Sequence, residues 1–239
     1  MENINQTRKS IKRRILITGA TSGIGYASIK RLVNQGHELI VPCRNKSSFN
    51  KIVQKIKIDV KKEILDKNLV KYYIMDLSDL DSVLEFTNQI QVKYDNIDIL
   101  ALNAGLQYTG SISPRKSVQG FELTFATNHL AHVLLTHLLF PLIKKSKQPR
   151  IVITSSEVHN PNSSGGQIGQ PAGLKEMKGI LKLDEFTMID GISSFSADKA
   201  YKDSKLCNIL FAKELSYRLK LLKINIPIIT WAPGLVIPR

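Results

Sequence analysis

Apolar and polar positions follow one another along this chain in blocks of two kinds. Short unbroken apolar runs, such as Ile15-Leu16-Ile17-Thr18, have the length and β-branched content of strands buried on both faces. Longer stretches with apolar residues three and four apart have the period of helices that cover a core with one face. The runs at 15–18, 38–42, 70–75, 97–102, 150–154 and 226–231 are predicted strands. The segments 25–35, 46–65, 80–94, 121–144 and 199–223 are predicted helices, the first stopped by Gly36 and the second carrying Ile52, Ile56 and Val60 on an otherwise charged surface.

Strands alternating with helices, the strands apolar throughout, predict an α/β fold with a doubly wound parallel sheet of Rossmann type and helices on both faces. Such sheets take ligands outside the carboxyl ends of their strands, so the residues just after each strand are where chemistry is sought. The predicted organisation is a basic, disordered tail over 1–13 and a single domain over 14–239. The segment 160–196 breaks the alternation. It is rich in Gly, Pro, Ser and Asn, has one short amphipathic piece at 174–183, and follows the fifth strand on the ligand side. A loop of this length inside a compact domain is commonly functional.

Composition narrows the picture. The 239 residues, 43% hydrophobic, suffice for one sizeable core. The net charge is +14, from 34 Lys and Arg against 20 Asp and Glu. The lysines are scattered and not interleaved with aromatics, which argues against nucleic acid and leaves a positive potential suited to a small anionic ligand. No run reaches the roughly 20 apolar residues of a membrane span. The polar 1–14 stretch lacks the apolar segment of a secretory signal, and two cysteines, Cys43 and Cys207, fit a reducing cytoplasm.

Candidate chemistry sits where the fold rule asks for it. Thr18-Gly19-Ala20-Thr21-Ser22-Gly23-Ile24-Gly25 joins the first strand to the first helix. Glycines there let backbone approach a pyrophosphate, and the helix start offers free N–H groups. At the end of the second strand an NAD site carries an acid for the ribose 2′-hydroxyl; this chain has Arg44, with Lys46 nearby, which suits the 2′-phosphate of NADP (NADPH). Asp76 and Leu77 follow the third strand at the place of an adenine contact, and the small residues of Asn103-Ala104-Gly105 follow the fourth. Tyr201 and Lys205 lie four apart on one helix face. A neighbouring ammonium is expected to lower the phenol from its usual pKa near ~10 and fit it for proton exchange with a carbonyl or alcohol. Ser156, with Ser155 as its competitor, is placed to hydrogen-bond a substrate oxygen, and Asn128 to hold a water linking Lys205 to solvent. His129, His132 and His137 share a helix without acidic or cysteine partners, so core or surface roles are expected and no metal.

Taken together, Thr18-Gly-x-x-x-Gly23-x-Gly25, Asn103-Ala-Gly105, Asn128, Ser156, Tyr201-x-x-x-Lys205 and Pro233-Gly234 resemble the short-chain dehydrogenase/reductase family. The resemblance implies a catalytic tetrad of Asn128, Ser156, Tyr201 and Lys205, with Pro233 and Gly234 beside the nicotinamide. It also implies a small-molecule substrate and a homodimer through the long helices. The stretch from Gly120 to His132, then Pro171, Leu174, Gly179, Met188 to Gly191 and Lys199 to Lys205, is similar to the light-dependent protochlorophyllide reductase and retinol-dehydrogenase-like branch. Two positions depart from that reductase: Leu235 replaces a cysteine, and Gly105 stands where alanine is usual. The chain ends at Arg239, just past the sixth strand, so the expectation is a domain lacking the C-terminal lid and final strand. A non-catalytic NADP(H)-binding protein left by such a truncation is the competing reading of another class.

Overall fold

Strand β1, Arg14–Ile17, is buried from Ile15 to Ile17 and needs cover on both faces. In this computed structural model, which describes residues 11–181 and 186–234, alternating crossovers supply that cover. Helix α1 (Gly23–Asn34) leads to β2 (Glu38–Cys43). Helices α2 (Lys46–Asp59) and α3 (Lys62–Leu65) lead to β3 (Val70–Ile74). Then follow α4 (Leu80–Lys93), β4 (Ile99–Leu102), α5 (Leu123–Phe125), a π-helical turn (Ala126–Leu130), α6 (Ala131–Lys144) and β5 (Arg150–Thr154). A short α7 (Ser164–Gln167), the long α8 (Ala197–Leu221) and β6 (Ile228–Trp231) complete the order. Most of the predicted 1–13 tail, together with Leu235 and Arg239, lies outside the described residues.

The strands pair in parallel in the order β3-β2-β1-β4-β5-β6. Side chains alternate across this sheet as the period of two requires. Leu16, Ile40, Leu100 and Ile151 face one core with Phe86 and Ile90 of α4 and Leu135 and Leu139 of α6. Ile15, Ile17, Leu39 and Val41 face the other with Ile29 and Val33 of α1 and Ile52 and Ile56 of α2. Each such side chain, fully buried, contributes roughly 1.5–3 kcal/mol of apolar transfer. The order reverses between β1 and β4, which opens a crevice at their carboxyl ends.

Two predicted helices are broken in the structure. The 46–65 pattern is two helices, because Val60 leaves helical geometry (φ −117°, ψ 137°) and buries its side chain. The 121–144 pattern is interrupted by the π-helical turn that carries Asn128, an irregularity that hydrophobic spacing does not register. This same stretch, Leu123–Lys144, is apolar and long enough to cross a membrane by length and composition, although the sequence reading found no such run; half of it is buried in the fold as core cover.

The 160–196 segment is irregular but docked. Phe186, Ile189, Leu174 and Ile180 pack with Phe121, Phe125 and Cys207 in a third apolar cluster. Two lysines of α8 fasten it from below. Lys199 Nζ donates to the Gly173 carbonyl at 2.9 Å and pairs with Asp203 at 2.6 Å and Asp190 at 3.1 Å. Lys202 Nζ donates to the carbonyls of Gly166 (3.1 Å), Gln170 (3.0 Å) and Ile168.

Candidate active site

The crevice is a cavity of about 870 Å³ across the carboxyl ends of the strands. The glycine turn forms one wall. Gly19 has φ +66°, and a Cβ on it would lie 2.6 Å from the Ala104 Cα; one on Gly25 would lie 2.3 Å from the Gly19 carbonyl oxygen. Neither position has room for a side chain. Ser22 makes no side-chain cap to α1, and no acid stands in that helix's first turn, so its positive end is left for an anion. Thr21, Ser22 and Ile24 also line the cavity, whereas Gly23 (φ +52°) shapes the turn from outside the lining.

Arg44 lines the cavity beyond β2, together with Ser48, which lies in the first turn of α2. Lys46 begins that helix, exposed and outside the lining. Asp76 and Leu77 line the wall after β3, with the Asp76 carboxylate held by the Ser78 backbone N–H (2.8 Å) and hydroxyl (2.7 Å). Asn103 donates its side-chain amide to the Thr18 carbonyl at 3.1 Å and so ties the end of β4 to the glycine turn. Ala104 and Gly105 continue the floor; a Cβ on Gly105 would approach Lys205 Nζ at 3.2 Å. Pro233 and Gly234 close the far side.

Tyr201 and Lys205 of α8 face this space together. The Lys205 ammonium is 5.4 Å from the Tyr201 ring centroid and donates to the Thr154 carbonyl at 3.2 Å. The two serines separate cleanly. Ser155 donates to the Lys205 backbone carbonyl at 2.9 Å, while the Ser156 hydroxyl bonds the Tyr201 side chain. Asn128 lies behind the lining. Its amide accepts from Leu106 N–H (2.7 Å) and donates to the Leu106 carbonyl (3.0 Å) and Ser204 hydroxyl (3.1 Å), fastening the loop after β4 to α8.

The electrostatics differ from the expectation of a phenol lowered by its lysine. Burial raises Tyr201 above its usual value, and Ser156 is the group that pulls it back. Burial also presses Lys205 down to about 8. Burial sets both shifts, because each charged form loses water in the fold.

The histidines divide between core and surface. His132 is 2% exposed, His129 bonds Asn208 at 3.0 Å, and His137 is exposed. Among the described residues no group of His, Cys, Asp or Glu is placed to hold a metal.

A parallel sheet with a glycine turn on its first helix, an arginine past the second strand and a Tyr–Ser–Lys cluster over the crevice defines the dinucleotide-binding oxidoreductase class. The chain belongs to the short-chain dehydrogenase family, whose model matches residues 13–167. Protochlorophyllide reductase of Pisum sativum is 33% identical over 222 residues, 90% of this chain and 54% of that protein. The chain spans about half the length of the curated relatives it matches. Among solved structures, an uncharacterized protein of Mycobacterium paratuberculosis is 27% identical with a TM-score of 0.70, covering 93% of this chain and 68% of that one. A short-chain dehydrogenase of Escherichia coli CFT073 complexed with NADPH shares the fold at 22% identity and a TM-score of 0.64, covering 93% and 76%.

Sequence reasoning missed several lining residues, chiefly Ser48, Ser78, Leu123, Thr127 and Val158. Ser48 had a legible signal, a hydroxyl in a helix's first turn four residues past Arg44. Leu123 and Thr127 had none, because the non-α geometry around Asn128 decides which way they face.

Proposed function

We propose that this chain is an NADP-dependent oxidoreductase that transfers hydride to or from a carbonyl, alcohol or conjugated-ring substrate. The observation that carries the reading is that the Tyr201 phenol, bonded by Ser156 and flanked by Lys205, opens into the same cavity as the glycine turn and Arg44. The residues fit the dinucleotide. The cradle at Gly19 and Gly25 would be filled by a Cβ, and the anion-ready end of α1 stands beside it. Gly19 to Gly25 would hold the pyrophosphate, and Arg44 with Ser48 the 2′-phosphate. Asp76 and Leu77 would hold the adenine; Asn103 to Gly105, Lys205, Pro233 and Gly234 would hold the nicotinamide half. Bound NADPH supplies the hydride. Tyr201, kept protonated at neutral pH by its burial, donates a proton to the substrate oxygen or carbon. Ser156 orients that phenol and the substrate, and Asn128 keeps the loop after β4 in register with α8.

Purified chain should oxidise NADPH with a reducible substrate, and Tyr201→Phe should remove turnover while NADPH fluorescence titration stays unchanged. Turnover retained in that variant would sink the reading. Light-driven reduction of protochlorophyllide is a second reading, favoured by the 33% identity to the pea reductase. Illumination of protein, NADPH and pigment, followed by absorption spectroscopy, tests it: no light-dependent shift removes it. A cytoplasmic setting belongs to the same proposal, supported by the buried free thiols Cys43 and Cys207. So does a homodimer, for which α8 keeps Leu210, Tyr217 and Leu221 exposed.

A further inference from the structure

His132 is a buried titratable group that the chemistry above does not use. It lies in the first turn of α6, between the π-helical turn and the end of β1. Its Nδ1 is 3.1 Å from the Asn128 carbonyl oxygen and its Nε2 is 3.0 Å from the Thr18 hydroxyl. That hydroxyl is crowded. It accepts the backbone N–H of Asn103 at 2.9 Å and of Ala104 at 3.0 Å. With both acceptor directions taken, its one proton has to go elsewhere. The Ala101 carbonyl is distant at 3.5 Å, and the imidazole nitrogen at 3.0 Å is the better acceptor. Nε2 must then be bare, which puts the ring proton on Nδ1, facing the Asn128 carbonyl, which can only accept. Each hydrogen bond in the chain fixes the direction of the next.

We propose that His132, as its neutral Nδ1–H tautomer, is a positioning residue that couples the glycine turn and the Asn103-Ala104 floor to Asn128 and thereby to the acid–base cluster. This rests on the NADP reading of the cavity. The coupling needs a neutral ring, since a proton on Nε2 would turn the Thr18 hydroxyl around and leave one of the two backbone N–H groups without an acceptor. Burial holds the imidazole at about 3, and the neighbouring Lys205 and His129 oppose a further charge. The strut therefore stays intact over the whole range in which such a protein works.

Two arms test it. Two-bond ¹⁵N–¹H correlation spectra of the wild-type chain should show His132 protonated at Nδ1 and bare at Nε2 at pH 7. A protonated Nε2 overturns the proposal whatever the variants do. In the second arm, NADPH affinity is read by fluorescence for Thr18→Val, His132→Asn, His132→Gln and the Thr18→Val/His132→Asn double variant. Asparagine keeps a donor for the Asn128 carbonyl but loses reach to Thr18, whereas glutamine restores an acceptor near Thr18. His132→Asn and Thr18→Val should each weaken binding about tenfold, and the double variant no further. His132→Gln should stay within about twofold of wild type. Additive losses, or equal loss in the Asn and Gln variants, would overturn the coupling. Wild-type chain that fails to bind NADPH would sink the cofactor reading instead, and the tautomer would still decide the strut.

Discussion

Replacing Lys205 with methionine should make the protein more stable while removing its chemistry. The ammonium is 2% exposed, and burial lowers it from 10.5 to about 8. A lysine lowered by that much carries a folding penalty of about 3 kcal/mol whenever it is charged in the folded state. The sign follows from proton binding. Below about pH 8 the penalty is present in full. Between 8 and 10.5 the unfolded chain holds more protons than the folded one, so wild-type stability rises with pH. Methionine fills the same unbranched volume with no charge to desolvate. It loses the bond to the Thr154 carbonyl, which Asn208 also reaches at 3.4 Å, so that oxygen keeps a partner. With about 1–2 kcal/mol deducted for that bond, Lys205→Met should gain about 1–2 kcal/mol at pH 7. For a domain of this size that is a rise in melting temperature of about 2–8 °C. Calorimetric melts of both proteins from pH 7 to 10 would show the gap closing as pH rises. The tyrosines raised by burial titrate alike in both and cancel. A wild-type melting temperature above the variant's at pH 7, or a gap with no pH dependence, would refute the desolvation account.

Two further outcomes follow from the site and its supports. Arg44→Glu, which puts a carboxylate at the end of β2, should weaken NADPH binding at least about tenfold while NADH binding holds or improves, measured by paired fluorescence titrations; equal loss for both would place Arg44 away from the 2′-phosphate. Lys202→Met removes three charge-assisted bonds to Gly166, Ile168 and Gln170, so limited proteolysis between 160 and 173 should accelerate about tenfold while the sheet's melting temperature falls by only a few degrees. Unchanged cleavage would mean that the apolar cluster around Phe186 holds the segment alone.

The sheet and most of the site were legible for a physical reason: parallel strands buried on both faces leave unbroken apolar runs, and the fold rule then says where to look. Gly19, Arg44, Asn103 and Ser156 lie where strand ends deliver them, and Gly25 of α1 and Tyr201 and Lys205 of α8 face the same cavity. What escaped depends on local backbone or on burial. The helix around Asn128 keeps its hydrophobic spacing through a π-helical turn, so pattern alone draws it straight. Nothing in the sequence marks Lys199 and Lys202 as anchors of the 160–196 segment, whose backbone carbonyls they hold only once the chain is folded. Tyr201 and Lys205 read as an attracting pair, but the sign of their shifts is set by lost hydration, which adjacency in sequence does not report.

The anchoring of that segment has a bearing on traffic through the site. Its cationic bolts, Lys199 and Lys202, stand on the helix that presents Tyr201, so roof and proton donor travel as one rigid piece. Raising the roof to admit a guest would drag the phenol out of alignment.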